Sequence, residues 1–351
     1  GLGDVYKRQV VNEDRVQHRV TIRYSDGVVR EIPVWSNETL VQAAIREKLP
    51  YAYQCLSGSC CSCQCHLIAG EMEMDSGIAT SLLPGEHAAG LRLGCVSRVS
   101  RDAEVTLDYP STRGGPVRIN AFINSISWPA SSVAELELEL AEGDWLEFEP
   151  GQFVRLRVPG SDAWRSYSMS STVDELPLLR LVIRCLENGV MSDYLRDRAG
   201  VDDVLELEGP FGSFRWDSDL KRPHILIAGG TGIAPILSIL DSMRERSGTK
   251  PPTVLSFGCN DLDTLFYVEE LGLRVHWMPS LELRVSIDRG DSAGHRAGNP
   301  VQAISETDVR ENTVAYLCGP PPMVAAASAH LLELGVSPEN IHAEQFKPSE
   351  N

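Results

Sequence analysis

No stretch of this 351-residue chain is apolar for long enough to cross a bilayer, so no membrane-spanning helix is expected. Basic residues are also scarce: 32 Lys and Arg stand against 49 Asp and Glu, a formal net charge of −17. That imbalance argues against a nucleic-acid partner, which needs a basic face, and against docking on an anionic membrane. Internal repeats and low-complexity tracts are missing. Residues 1–9 (GLGDVYKRQ) show neither an initiator Met nor the apolar core of a secretory signal; they read as a non-native remnant and are set aside. With nothing marking secretion, a cytoplasmic location is expected and disulfides are not.

What the chain has is cysteine in a telling pattern. Four of its nine cysteines are Cys55, Cys60, Cys63 and Cys95, which is C-x4-C-x2-C with a distant fourth. That is the plant-type spacing of a [2Fe–2S] cluster, in which four thiolates hold two irons. Zinc is the competing reading, because C-x2-C is its commonest spacing, but zinc sites usually come as two such pairs. Here the first pair is split by four residues and the last ligand is single. Ser57, Gly58, Ser59 and Ser62 are small enough to let backbone N–H groups wrap a sulfide-rich anion. Cys61 and Cys65 read as bystanders, since four thiolates suffice.

Three textures follow one another. Residues 10–110 open with apolar–polar alternation around Asp26-Gly27, a hairpin signal. A helix is then predicted with Asn37 as N-cap and Pro50 as its end. The cysteine loop and further strands complete a small β-grasp ferredoxin pattern. After the linker PSTRGGPV, residues 117–217 are dense in short strands, and Glu135, Glu137 and Glu139 alternate with leucines as the wet side of a half-buried strand. An antiparallel β-barrel is expected. Residues 218–351 alternate buried strands with helices, as in a parallel sheet covered on both faces. The fold class is thus multidomain, α+β with a C-terminal α/β part.

Each later motif is weak alone. Arg165-Ser166-Tyr167-Ser168 offers a guanidinium for a pyrophosphate, a ring for an isoalloxazine and a hydroxyl for flavin N5. Gly189, Met191 and Ser192 stand where a strand gives way to a helix whose first N–H groups suit a phosphate. Gly230, Thr231 and Gly232 follow a buried strand and open a helix, without the Gly-x-Gly-x-x-Gly fingerprint but with its mechanics. Cys318, Gly319, Pro320 and Met323 do the same at a later strand end. Both glycine turns are expected to flank one crevice at the carboxyl ends of the strands.

Taken in order, these motifs resemble the ferredoxin–NADP reductase superfamily fused behind a plant-type ferredoxin. The resemblance is to the reductase components of benzoate-dioxygenase, phenol-hydroxylase and methane-monooxygenase systems. It implies an iron–sulfur flavoprotein oxidoreductase with a [2Fe–2S] cluster held by Cys55, Cys60, Cys63 and Cys95. It implies FAD held by Arg165, Tyr167 and Ser168, with Gly189, Met191 and Ser192 at its phosphates. Thr231 and Gly232 would meet the nicotinamide dinucleotide, and Cys318 would lie near the nicotinamide. Phe346 would cover a flavin face, and Ser168, Cys318 and Phe346 would form the catalytic set. Related ferredoxins usually have Gly where Cys61 stands, and relatives often have Arg where Asn260 stands. Asp261 and Asp263 follow Asn260 and would repel a 2′-phosphate, so NADH is expected over NADPH. The implied partner is a terminal oxygenase or its intermediary ferredoxin. Reduction of quinones, ferric chelates or a cytochrome P450, and a non-enzymatic redox sensor, are the alternatives.

Overall fold

The computed structural model describes residues 16–78 and 80–347; the 1–9 segment lies outside them. The described chain divides into two compact units. The first takes in residues up to Gly58, Cys63–Leu82 and Gly90–Gly114; the second takes in Ser59–Ser62, Leu83–Ala89 and everything from Gly115 onward.

The N-terminal sheet is built from β1 (Gln17–Arg23), β2 (Val29–Trp35), β3 (Gln64–Met74), β4 (Leu91–Leu93) and β5 (Ser97–Thr106), with helices α1 (Leu40–Arg46) and α2 (Pro84–Ala88) between strands. Its order is β2-β1-β5-β3-β4, with β1 and β5 parallel. The β1–β2 hairpin turns through Asp26-Gly27, and Gly27 takes φ +81° there. Helix α1 departs from expectation at its start. Thr39, not Asn37, is the N-cap: its side chain accepts from Gln42 N–H while the Gln42 amide oxygen accepts from Thr39 N–H. The Thr-x-x-Gln box satisfies two orphan donors at once, which a single Asn cannot do. Helix α1 ends at Glu47, before Pro50.

In the second unit, six antiparallel strands follow: β6 (Val117–Ala130), β7 (Val133–Leu140), β8 (Phe153–Arg157), β9 (Trp164–Ser168), β10 (Leu178–Arg184) and β11 (Val204–Phe211). Helix α3 (Val190–Asp197) precedes the last of them. The order is β10-β7-β6-β11-β8-β9, and a Met169–Leu181 bridge brings the two ends together, closing the barrel. Leu136, Leu138, Leu156, Leu179 and Leu181 fill its interior. On the outer side of β7 the carboxylates are not all wet. Glu135 accepts from the Tyr267 hydroxyl in a part-buried bond, whereas Glu137 accepts from the Asn124 amide at the exposed surface.

The C-terminal sheet runs β15-β14-β13-β12-β16-β17 and is wholly parallel. Its strands are β12 (His224–Gly229), β13 (Thr253–Cys259), β14 (Leu281–Ile287), β15 (Arg296–Ala297), β16 (Val314–Gly319) and β17 (Ile341–Gln345). Helices α4 (Ile233–Glu245), α5 (Val268–Trp277) and α6 (Pro321–Glu333) connect them. Every residue of β12 and β16 is buried, the mark of central strands covered on both faces. Val133, Val182, Phe214 and Trp216 share one apolar core with this sheet, and Ser238 Oγ–H donates to Ser171 O at 2.7 Å. Barrel and parallel sheet therefore meet through packed side chains. Among the described residues no helix is long and apolar enough to cross a membrane.

Candidate functional site

The cysteine loop has almost no regular structure. It curls because Leu56, Gly58 and Cys61 all take left-handed backbone, at φ 55°, 79° and 54°. Within the first unit the thiols of Cys55, Cys63 and Cys95 converge, with Cys55 and Cys63 both hydrogen-bonded to Cys95. The bond from Cys95 pulls the Cys63 thiol below its ordinary pKa, and bonding to Cys55 and Cys63 pushes Cys95 up. Backbone N–H groups aim at the sulfurs: Ser57 N–H donates to Cys55 Sγ and Cys95 N–H to Cys63 Sγ, each at 3.4 Å. Cys60 stands partly exposed in the same loop. Convergent thiols with N–H donors on their sulfurs fit a two-iron cluster. Cys65 is a buried thiol, pushed up to about 12 by burial.

In the second unit, β9 carries the Arg165–Ser168 motif alongside β8, in register from Phe153–Ser168 to Arg157–Trp164. Arg165 and Tyr167 share one face of the strand. The Tyr167 ring packs against the barrel core, and the Arg165 guanidinium donates to Trp164 O at 3.0 Å. Ser166 is exposed and Ser168 buried. Helix α3 begins at Gly189 with no side-chain cap, leaving its first N–H groups for a ligand. The tight turn before it belongs to Asn188, at φ 55°, not to Gly189. Gly189 is required for space, since a Cβ there would lie 2.8 Å from Ser192 Oγ. The Ser192 hydroxyl accepts from Leu186 N–H at 2.9 Å and so holds the turn. Met191 is buried in the barrel core, which leaves its backbone N–H as the group able to face a phosphate.

The two glycine turns lie side by side at the carboxyl ends of β12 and β16. A Cβ on Gly232 would fall 2.3 Å from Cys318 O, and one on Gly229 would fall 2.6 Å from Met323 Sδ. Gly319 approaches the same Met323, and Pro320 caps α6. Gly230 adopts φ +54°, and Thr231 is buried beside it. Phe346 extends the C-terminal strand, its N–H donating to Gly319 O at 2.9 Å, and its ring packs against the sheet core.

One residue not foreseen completes this mouth. Glu344 sits opposite Cys318 in the β16–β17 register and accepts from Ser168 Oγ–H at 3.0 Å. Burial pushes its carboxyl up to about 7, against the pull of the Ser168 bond. Burial, and then the nearby Glu344, hold the Cys318 thiol well above its ordinary range. The available sequence signal was position: Glu344, on β17, precedes Phe346 by two. At the far end of the crevice, Asp261 is committed locally, its carboxylate accepting from Thr264 N–H at 3.0 Å. Arg289, also unforeseen, follows β14, and its N–H donates to Asn260 O at 2.8 Å.

A parallel sheet with two glycine turns, a barrel strand bearing Arg-x-Tyr-Ser and a convergent thiol loop define an oxidoreductase that couples a dinucleotide to an iron–sulfur centre. Comparison with known families agrees region by region. Residues 24–100 match the 2Fe-2S iron-sulfur cluster binding domain, 123–216 the oxidoreductase FAD-binding domain and 226–329 the oxidoreductase NAD-binding domain. The chain is 32% identical to the toluate 1,2-dioxygenase electron transfer component of Pseudomonas putida, over 95% of its own length and 99% of that protein. It is 30% identical to the anthranilate 1,2-dioxygenase electron transfer component of Acinetobacter baylyi, over 95% and 98%. A solved structure, the cytochrome P450 reductase GcoB of Amycolatopsis, superposes with a TM-score of 0.70 at 30% identity, over 94% of this chain and 99% of that one. The chain belongs to this family of iron–sulfur flavoprotein electron-transfer components of oxygenase systems.

Proposed function

We propose that this protein takes reducing equivalents from NADH and delivers them singly to a terminal oxygenase or its intermediary ferredoxin. The observation that carries the reading is the meeting of Ser168, Glu344 and Cys318 at the mouth of the two glycine turns. A bound flavin supplies the step between a two-electron hydride donor and a one-electron iron–sulfur carrier. The chain's own residues prepare the place for it. Arg165 and the free N–H groups of α3 would hold the pyrophosphate, and Tyr167 would flank the ring. Gly232 lets a dinucleotide approach the backbone, and Ser168 directs a hydroxyl into the mouth. Glu344 orients that hydroxyl and can hold or release a proton near neutral pH. Cys55, Cys60, Cys63 and Cys95 would hold the cluster.

The choice of NADH rests on charge at the β13–β14 rim. Asp261 and Asp263 follow β13, and Asp288 and Arg289 follow β14, their backbone N–H groups donating to Cys259 O and Asn260 O, so three carboxylates and one basic residue lie on the two segments that leave this rim. A 2′-phosphate would meet net repulsion, which should lower the efficiency with NADPH by about tenfold or more. The test has two arms. Purified protein should contain iron, acid-labile sulfide and FAD in 2:2:1 proportion, as one [2Fe–2S] cluster and one FAD require. Steady-state kinetics should then show higher kcat/KM with NADH. Zinc without sulfide would overturn the cluster, and equal efficiency with both donors would overturn the nicotinamide assignment.

A further inference from the structure

The segment between β13 and α5 contains a backbone outlier that the hydride chemistry does not use. Tyr267, the N-cap of α5, sits at φ 62° and ψ 17° in left-handed backbone, where a bulky side chain is rarely found. Such a conformation persists only when its surroundings over-determine it, and these sites cluster around ligands. Three contacts hold it. The Phe266 ring lies edge-on to Tyr267 at 4.9 Å between centroids and edge-on to Phe257 of β13 at 5.6 Å. The Tyr267 hydroxyl, on a side chain only 8% exposed, donates to the Glu135 carboxylate on barrel strand β7. At the other end of the segment Cys259 is buried, its sulfur close to the backbone N–H groups of Phe266 and Gly230.

These contacts form one line. It runs from the Gly230 turn through Cys259 to Phe266, and from Tyr267 across to the barrel at Glu135. The residues it spans, Asn260 to Leu265, leave the carboxyl end of a parallel strand, the place where such sheets seat an adenosine. A bond from a tyrosine hydroxyl to a carboxylate is of the stronger, charge-assisted kind, and here it is partly buried.

We infer that Tyr267 and Glu135 are positioning residues for the adenosine half of the dinucleotide, holding the 260–265 segment against the Gly230 turn through Cys259. They touch neither the reacting atoms nor the flavin side of the crevice. The inference rests on the reading that NADH binds at the two glycine turns. Its consequence is a split between binding and chemistry: loss of the strut weakens capture of NADH and leaves turnover intact.

The test uses the flavin-loaded, full-length protein. Binding of ADP-ribose is measured by calorimetry beside KM and kcat for NADH with ferricyanide as acceptor. Tyr267→Phe keeps the ring and removes only the donor. It should weaken ADP-ribose binding and raise KM by about tenfold, with kcat and flavin content native. Glu135→Ala should match it, Glu135→Gln, which still accepts, should stay within about threefold of native, and the double variant should be no worse than either single. Native affinity and KM in Tyr267→Phe would overturn the inference. So would kcat and flavin content falling with affinity in both variants, since that marks a merely structural contact. If the unaltered protein neither binds ADP-ribose nor oxidises NADH, the functional reading itself has failed, and the inference with it.

Discussion

The cysteine loop and the dinucleotide crevice solve the same problem, bringing backbone close to a charged group, in opposite ways. The cysteine loop has little regular structure and three left-handed residues, two of them not glycine. The crevice is made of glycine turns on fully buried parallel strands, where the backbone of one turn touches the backbone of the next. A loop that is cross-linked by its ligands can tolerate local strain, because binding energy is also folding energy. A crevice that must open and refill cannot depend on its ligand. Its shape has to be present beforehand, and packing supplies it.

This contrast can be broken most sharply at Cys60. Cys60→Ser should cut NADH-driven cytochrome c reduction by about a hundredfold or more, while ferricyanide reduction through the flavin survives. A parallel fall of both activities at full flavin content would show that the two regions do not act in series. The next test lies in the crevice. Gly232→Ala forces a Cβ to 2.3 Å from a backbone oxygen and 2.6 Å from its carbon, neither of which can move aside like a side chain. A loss of about 2–3 kcal/mol in denaturant unfolding is expected, with impaired NADH oxidation. Unchanged stability would mean that the turn has slack.

Glu344 gives a subtler probe. Its carboxyl is raised from 4.5 to about 7 by burial, so across that window the folded protein keeps a proton that the unfolded chain has released. Its contribution is complete below about pH 4.5 and is lost as pH rises through about 7. Glu344→Gln should flatten this part of the stability profile and, if Glu344 orients Ser168, the matching part of the hydride-transfer profile. A pH–stability curve identical to that of the native protein would place the titration elsewhere. The smallest effect belongs to the cysteine loop. Cys61→Gly relieves a non-glycine residue at φ 54° and should stabilise the protein by about 1 kcal/mol, measured on the cluster-loaded form. Destabilisation would show that the Cys61 side chain contributes more than its backbone costs.

What the sequence determined by itself was whatever short windows encode. Cysteine spacing pointed to the cluster, Asp26-Gly27 to the hairpin, and β–α alternation after residue 218 to the parallel sheet, because each depends on neighbours in the chain. Even within a window a competing cap could mislead, as Thr39 displaced Asn37 by pairing with Gln42. The tertiary structure alone decided the rest. Ser168 meets Glu344 across 176 positions and Tyr267 meets Glu135 across 132. Arg289 reaches Asn260 only because β13 and β14 run in parallel register. No local periodicity records such pairs. They follow from which strands lie adjacent and which faces must be buried, and those are settled when the whole core packs.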